Sequence, residues 1–159
     1  MRGVTAARRA AFETVRAVSA SDAYANLHLP KELRKRALRG AEAGFATELT
    51  YGTLRRQGTY DAVIEIAANR PVAEIDPDVL DALRLGVHQL LAMRVPSHAA
   101  VHDSVELAAE SGGKRAAGFA NAVLRKVSAS TEEEWLDQVS AAARSDDERI
   151  GVLTAHPVW

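Results

Sequence analysis

The feature that most constrains the fold is the spacing of apolar residues, which recur with a helical period along nearly the whole chain. The clearest case follows Asp76-Pro77, where Asp suits a helix N-cap and Pro suits the first helical position. The apolar residues after this pair mark one face of an amphipathic helix: Val79, Leu80, Leu83, Val87, Leu90 and Leu91. No run alternates as a half-buried β-strand does. The pattern therefore predicts an all-α fold with this helix near the centre of the core.

A further helix is predicted over Gly118–Val127. Its apolar residues are expected to form one buried face: Phe119, Ala122, Val123 and Val127. Arg125 and Lys126 lie on the other face, near the negative end of the helix dipole. We interpret these two cations as dipole and surface residues.

Glycine and proline predict where helices pack closely, bend or begin. Within residues 41–68, Gly52 predicts close helix packing and Gly58 predicts a bend or break, because each is unfavourable inside a helix. Pro30 is expected to begin a short helix after an irregular segment at residues 21–29. Gly112-Gly113 is expected to interrupt the helix that begins near His98.

The last thirty residues have a different character. Thr131 and Glu134 form a capping box, which predicts a helix that buries Trp135, Leu136 and Val139. Residues 140–147 are expected to be loose, and residues 150–153 to begin another short helix. The chain ends at Ala155-His-Pro-Val-Trp159, which we interpret as a cut inside a longer protein.

Charge is distributed unevenly although the formal net charge is only -1. Residues 1–60 hold 11 Lys/Arg against 5 Asp/Glu, whereas residues 128–159 hold 2 against 7. A basic front half favours an anionic partner. The absence of cysteine excludes disulfides, thiolate metal sites and thiol nucleophiles. Because the apolar runs are too short to span a bilayer, we expect no membrane partner. The absence of cysteine and of a signal-peptide core favours a cytoplasmic protein.

Three groups of basic residues are candidates for binding phosphates. The first follows one side of the first predicted helix, where guanidinium groups can bind phosphates bidentately: Arg2, Arg8, Arg9 and Arg16. The second falls within nine residues: Lys31, Arg34, Lys35, Arg36 and Arg39. The third is the pair Lys114 and Arg115. The alternative for all of them is a solvated helix face, with Glu13 pairing to Arg9 one turn away.

Patterns that carry catalysis or bind cofactors are missing from the sequence. No nucleophile elbow, glycine-rich cofactor loop or clearly placed carboxylate pair is present. His98 and His102 share a helix face at a spacing that can bind zinc, but no third ligand accompanies them. We therefore predict no catalytic residue and no metal site, and interpret the chain as a helical binding module.

Several stretches resemble a known family. Phe119–Lys126 and His98–Ala108 are similar to the paired C-terminal helices of the NusB fold. Phe45–Arg56, Leu83–Leu91 and Arg94–Val101 resemble the NusB-like N-terminal domain of the family of ribosomal RNA small subunit methyltransferase B, which methylates C5 of a cytosine in 16S rRNA. The resemblance implies a NusB-like helical bundle of about seven or more helices.

What the resemblance implies about function follows the division of that family into two parts. Residues 1–128 would be an RNA-binding domain that positions 16S rRNA. The resemblance supplies no set of RNA contacts, so the eleven basic residues above are predicted as contacts from the placement of charge alone. Residues 129–159 would be a helical linker leading into a methyltransferase domain absent from this chain. That domain would bind S-adenosylmethionine and be the intramolecular partner, so no cofactor is expected here.

Two alternatives remain open from the sequence. One is a free-standing NusB-type transcription antitermination factor, which would end soon after the helix that holds Asn121. The other is a protein-docking scaffold that contacts its own catalytic domain and no RNA.

Overall fold

The computed structural model describes residues 3–150, with side chains described as far as residue 145, and this part of the chain is all-α as predicted. It contains seven α-helices and one turn of 3₁₀ helix at Val72–Glu74. The helices are α1 (Ala6–Ser21), α2 (Ala25–Lys35), α3 (Gly40–Arg55), α4 (Gln57–Ala68), α5 (Pro77–Leu91), α6 (Ser97–Ser128) and α7 (Glu132–Ile150). No helix within residues 3–150 is long and apolar enough to cross a membrane.

Helix α5 lies at the centre of the bundle, as its apolar pattern predicted. Every residue from Val79 to Gln89 is buried, and α1, α3, α4 and α6 all pack against it. The predicted N-cap is confirmed, since the Asp76 carboxylate accepts hydrogen bonds from the backbone N–H groups of Asp78 at 3.0 Å and Val79 at 3.4 Å. Local capping and a continuous apolar face thus place the same helix in the core.

Helix α3 approaches α5 closely at Gly52, which confirms the packing role predicted for this glycine. A Cβ atom at Gly52 would lie 2.1 Å from Nε2 of His88, so only a residue without a side chain fits there. The predicted break is also present, because α3 ends at Arg55 and α4 begins at Gln57. It falls at Arg56, two residues before Gly58.

Helix α6 doubles back over α5. Gly113 interrupts it with φ 67° and ψ -154°, a conformation that favours glycine, so the predicted break is confirmed. Ser104 and Leu124 come from the two halves of α6, yet both lie 2.9 Å from the Cβ position of Gly86. In a straight helix these two residues would be about 30 Å apart. The turn at Gly113 therefore lets both halves pack on one short stretch of α5.

The second half of α6 buries a slightly different face from the one predicted. Val123 and Val127 are buried as expected and Phe119 is half-buried, but Ala122 is exposed. Ala120 and Leu124 lie in the core instead. The sequence does not indicate whether an alanine at the edge of an apolar stripe belongs to the buried or to the exposed face of the helix.

The prediction for the segment before Pro30 is wrong. Residues 21–29 were expected to be irregular, but α2 begins at Ala25 and carries Pro30 inside it. The proline is the sixth of the eleven residues of α2 and removes one backbone donor from the middle of the helix. Leu29 and Glu32 on either side are buried, so packing against the bundle outweighs that loss.

Helix α7 also differs in part from its prediction. Residues 140–147 were expected to be loose, but they lie within α7, where three consecutive alanines favour a helix. The capping box is confirmed, with Thr131 N donating to Glu134 at 2.8 Å and Glu134 N donating to Thr131 Oγ1 at 3.1 Å. The short helix predicted over residues 150–153 and the segment 155–159 lie outside the described residues, apart from Ile150 at the end of α7.

Trp135 joins α7 to the rest of the bundle. Its side chain is buried, and Nε1 donates to the backbone oxygen of Val127 at 2.9 Å. Glu132 adds an ion pair with Arg56 at the start of α4. Leu136, expected to be buried, is instead 39% exposed.

Candidate nucleic-acid interface

Arg8 of α1 lies mainly inside the bundle. Its Nε donates to Oε1 of Gln89 at 2.6 Å, and Nη1 lies 3.3 Å from the carboxylate of Asp103. The guanidinium also stands 5.0 Å from the centre of the Phe45 ring, in the geometry of a cation–π contact. These contacts join α1 to α3, α5 and α6.

The buried carboxylate of Asp103 contacts Thr5, Arg8 and His102. Burial disfavours its charge, but hydrogen bonds from His102 and Thr5 and the charge of Arg8 together hold the pKa of Asp103 below its usual value. It therefore remains ionised and pairs with Arg8.

Arg9 forms a two-pronged ion pair with Glu110 of α6. Nη1 and Nη2 lie 2.7 Å and 2.5 Å from the two carboxylate oxygens. The hydrogen bond raises the pKa of Arg9 and lowers that of Glu110. The predicted pairing with Glu13 is also present, at a longer 3.8 Å.

Arg16 completes the set of α1 arginines and binds the start of α5. Its guanidinium lies 2.7 Å from a carboxylate oxygen of Asp78 and 2.7 Å from one of Asp81. Asp81 is buried and also binds Arg84 at 2.8 Å, and Arg84 in turn binds Asp61 at 2.7 Å. The side chain of Arg16 thus belongs to a network of ion pairs between α1, α4 and α5.

The basic residues of α2 and the following turn have different surroundings. Four of them are exposed and form no ion pair with an acid in the described part of the chain: Lys31, Arg34, Lys35 and Arg39. Arg36 is half-buried and pairs with Glu32 at 2.8 Å. Helix α2 ends at Lys35, so Arg39 lies outside it and precedes α3 as its N-cap residue. The segment carries five cations and one acid between residues 24 and 39, and its electrostatic potential is positive.

Two apolar side chains stand beside these cations, and sequence reasoning missed both. Tyr24 is 72% exposed and Leu27 is 61% exposed. Their spacing to Lys31 placed them on one helical face, but the segment was predicted to be irregular and that periodicity was not used. A helix that begins at Ala25 places Leu27 on the face of Lys31, with Tyr24 as the capping residue directly before it.

A smaller basic group lies near the turn in α6. Lys114 and Arg115 are exposed directly after Gly113. One turn further on, the guanidinium of Arg70 stands 4.8 Å from the centre of the Phe119 ring. Arg70 follows α4 and was not among the predicted residues, since its distance in sequence hides this proximity. Arg2, the last of the predicted set, lies outside the described residues.

The two histidines considered as metal ligands line an open cleft between the halves of α6. Asn121 and Arg125 lie on its other side. Nδ1 of His102 lies 2.9 Å from Asp103, which orients the ring. Within the described residues no group of three or more His, Cys, Asp or Glu side chains could hold a metal ion.

A buried histidine sits where α3, α4 and α5 meet. Nε2 of His88 lies 2.9 Å from Glu48, which can only accept a hydrogen bond, so Nε2 carries the proton. Nδ1 then accepts from the hydroxyl of Tyr60 at 2.7 Å. Burial lowers the pKa of His88 and raises that of Tyr60 to about 12. Both groups are neutral at pH 7 and are enclosed by the bundle, which makes their role structural.

The chain is similar to proteins about three times its length. Residues 5–129 match the NusB family. The chain is 51% identical over 154 residues to a protein of Mycobacterium tuberculosis strain H37Rv assigned as a methyltransferase, covering 96% of this chain and 34% of that protein. It is 34% identical over 152 residues to ribosomal RNA small subunit methyltransferase B of Pseudomonas putida strain KT2440, covering 96% of this chain and 33% of that protein. The chain thus spans about a third of the length of these relatives.

The fold is also similar to a solved structure. The solved complex of the antitermination factors NusB and NusE with double-stranded RNA contains a chain that matches this fold with a TM-score of 0.70 and 20% sequence identity. The match covers 77% of this chain and 93% of that one. The predicted all-α, NusB-like bundle is therefore confirmed.

Proposed function

The chain belongs to the NusB family, and from this premise we propose that it binds RNA through the exposed cations of α2 and the turn after it. One observation carries the proposal. The described arginines of α1 already hold carboxylates of α5 and α6, whereas Lys31, Arg34, Lys35 and Arg39 are exposed and form no ion pair among the residues whose side chains the structure describes. A phosphate can reach the second group without displacing an internal ion pair.

The proposal also includes the other basic residues that were predicted to contact RNA. Arg36 borders the α2 group, and Lys114 and Arg115 offer a second exposed basic site. Contact with Arg8, Arg9 and Arg16 stays a prediction, and RNA would there compete with Asp103, Glu110 and Asp81. Contact with Arg2 likewise stays a prediction.

The relatives support a more specific role. One is named a ribosomal RNA small subunit methyltransferase, and a NusB neighbour was solved with double-stranded RNA. Following the sequence resemblance, we propose further that the RNA is 16S rRNA and that this domain positions it for methylation at C5 of a cytosine. In a protein of the relatives' length, the remaining two thirds would bind S-adenosylmethionine, perform the transfer and be the intramolecular partner. The methyltransferase relatives favour this role over that of an antitermination factor.

A titration of the chain with labelled 16S rRNA fragments tests the proposal. Phosphate-dominated binding should weaken steeply between about 50 mM and 200 mM salt, because neutralised phosphates release counterions. An unrelated RNA of equal length measures specificity: equal affinity would contradict recognition of 16S rRNA while leaving RNA binding intact. If no RNA binds at the lower salt, the proposal fails and the result favours a protein-docking scaffold.

A further inference from the structure

The exposed face of α2 combines two apolar side chains with three cations. At 3.6 residues per turn, four side chains of α2 fall within about 100° of the helix circumference: Leu27, Lys31, Arg34 and Lys35. Tyr24 is the N-cap residue directly before this helix. All five are exposed. The opposite face is occupied, because Leu29 is only 3% exposed and Glu32 only 8%. Tyr24 and Leu27 are thus directed away from the bundle that holds the helix in place.

Tyr24 has no visible structural task. Its ring is 72% exposed, the highest value among the exposed large hydrophobic side chains of the described residues. Its hydroxyl forms no hydrogen bond within that part of the chain. A single exposed apolar residue is ordinary, but an aromatic ring beside a leucine and a row of cations forms a combined apolar and basic surface.

The charge of this surface indicates the kind of molecule that it can bind. Five cations and one acid between residues 24 and 39 favour a polyanion over an apolar peptide. Nucleic-acid phosphates bind cations, and an unpaired base can stack on an aromatic ring. In a duplex the base faces are already stacked on one another, so a duplex offers the cations its phosphates but offers Tyr24 no base.

We propose that this face of α2 binds a single-stranded, unpaired segment of RNA, with one base stacked on Tyr24 and neighbouring phosphates against Lys31, Arg34 and Lys35. The inference rests on the proposed function and specifies its substrate. Tyr24 and Lys31 are separated by about 10 Å along the helix. One base and the phosphates next to it can therefore occupy the face together, while Leu27 packs against the edge of the base or its sugar.

Fluorescence anisotropy of the whole chain with two labelled RNAs tests this inference. One is an unstructured single strand of about 12 nucleotides and the other a duplex of the same length. Tyr24→Ala should weaken single-strand binding by about 5-fold to 150-fold, the loss of one base–aromatic stack. It should change duplex binding less than about 2-fold, and Tyr24→Trp should restore single-strand binding. The salt dependence should stay unchanged, because no charge is removed.

The outcomes separate this inference from the proposed function. If Tyr24→Ala leaves single-strand binding unchanged, or weakens duplex binding equally, base stacking on Tyr24 is overturned while RNA binding stands. If the wild-type chain binds neither RNA, the proposed function fails as well. Circular dichroism and the exposed variant Leu136→Ala control for folding and for loss of an apolar surface group.

Discussion

At the scale of single residues, the structure differs most from the sequence-based interpretation at the arginines of α1. Arg8, Arg9 and Arg16 lie on one helix, as predicted. Their carboxylate partners lie far away in sequence, with separations of 95 residues for Arg8–Asp103, 101 for Arg9–Glu110 and 65 for Arg16–Asp81. Local periodicity holds no information on such pairs, because they depend on how the helices are arranged.

Gly52 gives the sharpest prediction about packing. Gly52→Ala should lower the free energy of unfolding by about 1–3 kcal/mol, because the added methyl would overlap His88 and Glu48. Gly44 lies in the same helix with nothing within 4 Å of its Cβ position, so Gly44→Ala should stabilise by about 0.5–1 kcal/mol. Urea denaturation of both variants measures the difference. Equal effects would show that α3 and α5 are not in close contact at Gly52.

His88 makes stability depend on pH. Burial lowers its pKa below the ordinary value of 6.5, so the folded protein resists a proton that the unfolded chain accepts. The stabilisation is full above pH 6.5 and is lost as the pH falls towards the lower folded pKa. Urea denaturation from pH 7.5 to 5.5 should therefore show decreasing stability.

His88→Gln should remove part of that slope, whereas the exposed His98→Gln should keep it. Identical slopes for wild type and His88→Gln would contradict the account. If His88→Gln does not fold, an NMR titration of the wild-type ring replaces it: protonation near pH 6.5 would be the contradicting result.

At the scale of elements, helices with strong local signals were predicted well. The core helix α5, the break before α4 and the break at Gly113 follow from capping residues, apolar periodicity and glycine. Helix α2 was placed incorrectly because Pro30 suggested a start five residues too late. Tertiary packing of Leu29 overrode that local signal, and the error concealed the exposed face that now forms the centre of the candidate site.

Helix α7 allows a test of where the bundle ends. Residues 129–159 are predicted to be a helical linker that buries Trp135, and Trp135 is buried as predicted. Trp135→Ala should therefore lower the free energy of unfolding by about 3–5 kcal/mol. Leu136→Ala, next to it and 39% exposed, should cost much less. If Trp135→Ala leaves urea denaturation unchanged, α7 contributes nothing to the stability of the bundle and acts as a linker.

At the scale of the whole molecule, the fold class followed from sequence because helical periodicity is a local property and the resemblance covered most of the chain. Which basic residues are paired inside the protein could not be predicted from sequence. The spacing of a basic residue along the chain is the same whether its side chain contacts a phosphate or an internal carboxylate. Only the arrangement of α1 against α5 and α6 separates Arg16, which is paired, from Lys31 and Lys35, which face solvent.

The most direct test of RNA binding by α2 is a charge reversal with a matched control. Lys31→Glu/Lys35→Glu reverses two cations of the proposed face, and Arg55→Glu/Lys126→Glu reverses two exposed cations elsewhere. Arg55 lies at the other end of α3, about 24 Å from Arg39. Both variants change the net charge equally, so general attraction of RNA to the protein is matched.

The measurement is the affinity for a 16S rRNA fragment at several salt concentrations. The α2 variant should bind far more weakly than wild type, and its log–log salt dependence should be shallower by about 0.7–0.9 for each phosphate that the variant no longer binds. The control variant should stay close to wild type. An equal decrease in affinity for the two variants, or no decrease for the α2 variant, would contradict the assignment of this face.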